Sequence, residues 1–490
     1  MENEDKKLLK KQAKIQKKEA KIALKREVKR DKAINLTKNR KTGEISFKNT
    51  QKVKKNRESA QVKHQKDTNK QKKEYRAYCQ KKFLEFNENG KPTIAIFCDT
   101  FFPIVDGVIV VMDNYAKRLA KMCNVVMFVP EHKGKTIKKD EYLVVGIKSV
   151  YFKFVGYDLA FPELDGDLNR LIKQLRIDLI HCHSPFLVGE YAAKLAKKRK
   201  IPFVTTFHSQ YKKDFYKNTK SKALTKMILA RVMKVFNAST ETWTMHSASR
   251  QTLIDYGYKG KNILLMPNAT DMAPTEAVLN SRSEIEEKLG IGQNQTMFIF
   301  IGRLIEVKNI FFIADVLKLL TDRGVDFKMV FVGDGPDSEK LKHKINALGL
   351  KERVVFTGKV TDREYIAKLL NRADLFLFPS LYDVSSIVQI EAACFKTPVV
   401  FAEGSVTSCT ITPEVNGYIS PCDEALFADK VQEILADEAK LKTVGEKARS
   451  GLYVTWDDVI EAAYQRYLYL IQQNNQPNLE ITQKVDVNKN

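Results

Sequence analysis

From residue 93 to about 472 the chain repeats one pattern: a short run of consecutive apolar residues, then a longer stretch in which apolar positions recur every three or four residues. Continuous apolar runs read as strands buried on both faces and the longer stretches as helices that cover them, so the pattern predicts parallel sheets with helices on each side. Strands are expected over Thr93–Cys98, Asn124–Val129, Tyr142–Ile147, Leu179–Cys182, Pro202–Thr206 and Ile263–Met266. A second series is expected over Met297–Ile301, Phe327–Val332, Val354–Phe356, Leu375–Pro379 and Pro398–Phe401, alternating with helices near 309–322, 338–348, 362–372, 386–395 and 423–436. The polar stretch Thr270–Gln295 separates the two series and reads as the linker. The expected architecture is α/β, with two parallel-sheet domains (91–270 and 271–455) facing across a cleft, a helix within 456–475 and a polar tail over 476–490. Ligands of such sheets bind at the carboxyl ends of the strands.

Composition changes the picture only at the amino end. Residues 1–90 carry 29 Lys+Arg and 12 Asp+Glu, which is +17 of the chain's net +24. Lys6 to about Arg30 lacks Gly and Pro and repeats Leu8, Ile15 and Ile22 among lysines, so a weakly amphipathic basic helix is expected there, and residues 35–75 read as disordered. The lysine-rich extension, 1–90, fits a solvated tail or attraction to anionic headgroups. Nucleic acid is the less expected partner, because aromatics are nearly absent before Tyr75 and Tyr78 and no stacking platform accompanies the charge. No apolar run approaches the ~18 residues that cross a bilayer, and Met1-Glu2-Asn3-Glu4-Asp5 does not open a secretory signal, so an intracellular, non-spanning protein is expected. Seven cysteines without Cys-x-x-Cys spacing argue for reduced thiols rather than a disulfide framework or a zinc site.

The richest motif is Pro379–Ala392, which sets two carboxylates, Asp383 and Glu391, eight positions apart across a strand-to-helix junction. Ser385, Ser386 and Ile387 then stand at a helix N-terminus, where backbone N–H groups attract phosphate. Glu391, about two turns on, has the reach for ribose hydroxyls; a plain N-capped core helix is the competing reading. Gly302-Arg303-Leu304 with Lys308-Asn309 places two cations at a strand end, suited to the charge that develops when a nucleoside diphosphate departs. Gly107, opening a helix after the first strand, permits close backbone approach to an anion, and Gly358 marks a loop on the same rim as the Gly333-Asp334-Gly335 turn. His208 ends a strand of the first domain and is expected to point into the cleft. His181-Cys182-His183 has the look of a metal clip without the carboxylates to complete it. Asp165-Gly166-Asp167 imitates an Asp-x-Asp metal motif, although its place ahead of a helix favours capping.

Taken together, positions 93–472 resemble the retaining, two-lobed (GT-B) glycosyltransferases of family 4, also called group 1. The resemblance rests on Phe102-Pro103 with Gly107, His183-Ser184-Pro185-Phe186, Phe207-His208, Met266-Pro267-Asn268 before Asp271, Gly302-Arg303-Leu304 with Lys308-Asn309, the Val332–Pro336 turn and the Pro379–Glu391 block. It implies two Rossmann-like domains and hexose transfer from a nucleotide diphosphate sugar, with a UDP-sugar the expected co-substrate and no metal or other cofactor required. It also implies that Arg303 and Lys308 contact the donor diphosphate, Glu391 the ribose, Asp383 and His208 the transferred sugar, and Gly107 the phosphates. Three positions depart from the pattern: Asp383 replaces a glutamate, and Ser386 and Lys396 replace glycines.

For the acceptor the sequence offers Tyr211-Lys212-Lys213-Asp214-Phe215-Tyr216-Lys217 and the basic, apolar stretch that follows. Bases interleaved with rings suit a lipid surface, and an ordinary core helix with one wet face is the plain alternative. The expectation is a glucosyl-type transfer to diacylglycerol or a similar membrane lipid by a cytoplasmic enzyme bound to the inner face of the cell membrane. Two alternatives stand beside it: a cytosolic transferase building a capsule, wall or storage glycan, and a non-catalytic sugar-nucleotide-binding scaffold whose tail holds membrane or RNA.

Overall fold

The computed structural model describes residues 70–104, 107–152, 157–260, 262–383 and 386–476. The basic helix expected over Lys6–Arg30 lies outside them. The chain divides between Ala77 and Tyr78, and both sheets belong to the unit that starts at Tyr78.

The first sheet is built from β1 (Thr93–Phe97), β2 (Asn124–Pro130), β3 (Leu143–Ile147), β6 (Leu179–Cys182), β7 (Phe203–Phe207), β8 (Glu241–Thr244) and β9 (Ile263–Leu265), all parallel. An antiparallel hairpin of β4 (Ser149–Phe152) and β5 (Tyr157–Ala160) intervenes. The second sheet holds β10 (Thr296–Ile301), β11 (Phe327–Val332), β12 (Val354–Gly358), β13 (Leu375–Phe378), β14 (Val399–Ala402) and β15 (Tyr418–Ser420), again all parallel. Runs such as Thr93–Phe97 and Leu375–Phe378 are buried at every position, as strands covered on both faces must be.

Strand order places the site. The first sheet runs β3-β2-β1-β6-β7-β8-β9 and the second β12-β11-β10-β13-β14-β15. Order therefore reverses between β1 and β6, and again between β10 and β13, and at such reversals the loops leave in opposite directions and open a crevice. The described parts of the loops at these points are 98–104 and 183–186 in the first lobe, and 302–309 and 379–383 in the second.

Two expectations change. Residues 70–75, read as disordered, begin a helix over residues 70–88, and the extension expected to end at residue 90 gives way to the first lobe at Tyr78. Cys79 and Phe83, one turn apart, are buried; Asn87 Nδ2 donates to Gln174 O at 2.8 Å and Asn89 Nδ2 to Asn124 Oδ1 at 2.8 Å. The final helix, Trp456–Asn475, does not close the second lobe, whose sequence it follows. Trp456, Val459, Ile460, Ala463, Tyr467 and Leu470 pack into the core of the first. The chain leaves the first lobe at Thr270 and returns at Thr455, where the two segments bridge in parallel.

Candidate active site

At the carboxyl end of β10 the chain turns through Gly302 into the short 3-10 turn Glu306–Lys308. Gly333 permits this path: it sits at φ +135°, and a Cβ there would lie 1.9 Å from Gly302 O. A Cβ on Gly335 would likewise lie 2.2 Å from Leu304 O. The Gly333–Gly335 turn thus supports the Arg303 loop from behind. Asn309, in the left-handed region at φ +56°, donates from Nδ2 to Pro379 O at 2.8 Å and ties this loop to the one after β13.

That tie brings Lys308 to Asp383. Lys308 Nζ lies 3.0 Å from Asp383 Oδ1, and Ser380 Oγ donates to Asp383 Oδ2 at 2.6 Å, so the carboxylate is held on both oxygens. Arg303 is exposed and pairs with no carboxylate among the described residues. The helix Ile387–Cys394 follows, with Ser386 as a buried N-cap whose side chain makes no cap hydrogen bond. Glu391 is 2% exposed; Arg363 Nη2 donates to its Oε1 at 2.5 Å, while among the described residues Oε2 has no hydrogen-bond partner, and neither has Ser386 Oγ. Burial raises the Glu391 pKa, which Arg363 partly opposes. Two buried polar atoms without partners, both on the helix at a strand-order reversal, are the groups a bound polyhydroxyl or phosphate would satisfy.

Lys396, another departure from the family pattern, has φ +61°, a conformation that favours glycine there. Its ammonium is held by Glu446 at 2.6 Å. Ser385 lies outside the described residues. Gly358 sits at φ +69° and its carbonyl accepts from Gly333 N at 2.9 Å, which keeps it on the rim beside β11. Gly107 opens the helix Gly107–Met122, and a Cβ there would meet open space, so the close-approach argument finds no steric support at this position.

Across the cleft, His208 follows β7. Its Nε2 lies 3.0 Å from His183 Nδ1, with the rings stacked at 5.2 Å. Burial holds His208 down to about 4 and His183 well below its ordinary 6.5, so both are neutral at physiological pH. His183 Nε2 is buried without a partner among the described residues. His181 is not a metal ligand: Nδ1 meets Tyr467 OH at 2.5 Å and Nε2 meets Thr206 Oγ1 at 2.7 Å. Among the described residues no cluster of three His, Cys, Asp or Glu side chains could hold a metal. Asp165 caps the helix Gly166–Leu171 by accepting from Asp167 N and Leu168 N.

Sequence reasoning missed Asp99. Its carboxylate accepts from Val188 N at 2.8 Å, Phe186 N at 3.2 Å and Ser184 Oγ at 2.7 Å, capping the helix Leu187–Arg199, which has no cap of its own. Burial pushes Asp99 up to about 6 against those bonds. The signal was Asp99 itself, at a strand end, but its partners lie 85 and more residues away.

The acceptor segment needs one correction. Tyr211 is 5% exposed and packs with Phe207, Val232, Met233 and Phe236, with Phe215 stacked on it, so neither ring is a free surface group. Lys212, Lys213 and Tyr216 remain exposed. From this segment Asp214 reaches the second lobe, accepting from Tyr382 OH at 3.2 Å.

Known proteins share this arrangement. Residues 105–273 match the family model described as Glycosyltransferase Family 4, and residues 281–451 that described as Glycosyl transferases group 1. The chain is 26% identical over 316 residues, 63% of itself and 70% of the relative, to alpha-monoglucosyldiacylglycerol synthase of Streptococcus pneumoniae. It is 26% identical over 295 residues, 56% of itself and 73% of the relative, to the Escherichia coli UDP-Gal:alpha-D-GlcNAc-diphosphoundecaprenol alpha-1,3-galactosyltransferase. Its fold is shared with sucrose-phosphate synthase of Thermosynechococcus elongatus, with a TM-score of 0.64 and 19% identity over 78% of this chain and all of the other.

Proposed function

Because the chain belongs to the family 4, group 1 glycosyltransferases and has their two-lobed fold, we propose that it transfers a hexose from a UDP-sugar to a membrane lipid, with diacylglycerol the first candidate, and retains the anomeric configuration. The observation that carries the donor half is the pair of buried, partnerless atoms Glu391 Oε2 and Ser386 Oγ on the helix that follows the Lys308–Asp383 ion pair. In this reading Glu391 binds the ribose and the Ser386–Ile387 backbone the phosphates, with Gly302 and Gly358 leaving the rim open. Asp383 fixes Lys308 and faces the sugar.

As the glycosidic bond breaks, charge grows on the departing diphosphate. Arg303, paired with no carboxylate among the described residues, and Lys308, pre-positioned by Asp383, stabilise it without a metal ion, and the acceptor hydroxyl attacks from the same face. A donor phosphate oxygen is the proton acceptor, since His208 and His183 are held neutral by burial rather than poised by a carboxylate partner. His208, aligned by His183, contacts the sugar from the first lobe.

The acceptor half rests on two supports. Both curated relatives named above act, by their names, on lipid-borne acceptors. The segment after His208 also exposes Lys212, Lys213 and Tyr216 next to the Asp214–Tyr382 contact. Peripheral attachment to the cytoplasmic face of the membrane follows from this reading; among the described residues no helix is long and apolar enough to cross a bilayer. The test is incubation of the purified protein with labelled UDP-hexoses and diacylglycerol vesicles, in EDTA, with the anomeric configuration of the product read by NMR. A retained, lipid-extractable glycoside is expected. Donor turnover that yields only water-soluble product contradicts the acceptor assignment.

A further inference from the structure

We propose that the outer face of the β4–β5 hairpin is a membrane-contact element that dips into an anionic bilayer, an inference that rests on the lipid-acceptor reading above. In this ribbon Val150 pairs with Leu159 and Phe152 with Tyr157, so these four side chains share one face. The other face is covered in part: Asp158 and Ala160 are buried, His132 Nδ1 meets Asp158 Oδ2 at 2.7 Å, and Tyr151, paired with Asp158 and 40% exposed, sets its ring edge-on to His132. An antiparallel ribbon with one covered face ordinarily turns polar residues outward. This one turns out Val150 (54% exposed), Tyr157 and Leu159, and Leu164 just beyond is 63% exposed. A contiguous apolar face of this kind marks a partner surface.

Neighbouring charge identifies the partner. On the hairpin itself, exposed Lys133 stands over the Tyr151 ring at 5.6 Å, and exposed Lys135 lies in the same turn, which His132 ties to Asp158. In the same lobe, the segment after His208 exposes Tyr216, Leu224 and Met227. It carries the exposed lysines Lys212, Lys213, Lys217, Lys220, Lys222 and Lys226, none paired with a carboxylate among the described residues. Apolar side chains ringed by unpaired cations fit a bilayer, which offers hydrocarbon and anionic headgroups together. A second copy of this chain would bring the same lysines and be repelled.

The test uses the full chain and vesicles of phosphatidylcholine with or without phosphatidylglycerol. Val150→Ser with Leu159→Ser should bind the anionic vesicles about tenfold more weakly, with UDP affinity unchanged. In a second variant, Tyr157→Trp, the introduced indole should shift to the blue and be quenched by brominated lipid, against the constant emission of Trp243 and Trp456, which are buried beyond the reach of lipid. Should the double variant lose UDP affinity through misfolding, the indole decides. Unchanged vesicle binding in a double variant that retains UDP affinity, an unquenched indole, or a blue shift that follows protein concentration without lipid each overturns the proposal. Vesicle binding without any lipid product would instead overturn the acceptor reading and leave the contact standing.

Discussion

Glu391 and Lys308 meet opposite demands, and their surroundings differ accordingly. Lys308 is held by one carboxylate at 3.0 Å, which limits its motion without removing it from the rim. Glu391 is buried with one oxygen on Arg363 and the other free, an arrangement that costs stability unless a ligand completes it. Glu391→Gln keeps the volume and removes the charge; it is expected to weaken UDP binding about tenfold by titration calorimetry, and unchanged affinity would remove Glu391 from the donor site. The buried histidines carry a second prediction. His181 and His183 are held well below 6.5 and His208 down to about 4, all chiefly by burial. Below pH 6.5 the unfolded chain takes up protons that the folded one refuses, so this stability is present above 6.5 and is lost toward 4. Asp99, raised to about 6, opposes this between 3.8 and 6, because there the folded form binds the extra proton. Glu391 and Asp214, also raised by burial, oppose it in the same sense. The three histidines, each losing stability from 6.5 downward, outweigh these carboxylates, so the urea midpoint should be lower at about pH 5 than at about pH 7.5, and a midpoint that rises on acidification would contradict the burial.

Among the elements, the strands with continuous apolar runs were legible in sequence and β8 was not. Glu241-Thr242-Trp243-Thr244 reads as polar, yet it is fully buried; most of its polar groups find partners within the fold, while Thr244 Oγ1 has none among the described residues. Thr242 Oγ1 meets Thr205 Oγ1 at 2.9 Å, and Glu241 accepts from Trp243 Nε1 at 2.6 Å and from Arg466 of the final helix. No local pattern announces such pairing. The β4–β5 hairpin was missed because its alternation is inverted, and β15 because it is three residues long. Of the site, the second-lobe residues were legible because they lie on two contiguous motifs. The His183–His208 contact and the Asp99 cap were not, since each joins segments far apart in sequence. The final helix was legible as a helix but its destination was not, and Arg466 tests that destination. Arg466→Ala leaves the Glu241 carboxylate buried without its ion pair and should cost about 3–5 kcal/mol in denaturant unfolding; a loss below about 1 kcal/mol would mean that the helix does not secure the first lobe.

On the scale of the whole molecule, two parallel sheets each reverse strand order once; Arg303, Lys308, Asp383 and Glu391 stand at the reversal of the second, and His183 at that of the first, with His208 one strand further along. The +17 of residues 1–90 adds a long-range term. Removing residues 1–69 should leave UDP affinity unchanged and weaken binding to anionic vesicles most at low salt, because headgroup attraction is screened; equal loss at all salt concentrations would contradict a charge role. The central claim is that cations of the second lobe and a histidine of the first act on one donor in the transition state. Turnover and UDP affinity measured together on Arg303→Ala, Lys308→Ala and His208→Ala test it most directly. The account predicts kcat lower by about 100-fold or more in each cation variant, a clear loss in the histidine variant, and UDP affinity within about tenfold of the parent. Full turnover in either cation variant, or an affinity loss that accounts for the whole fall in rate, would contradict it.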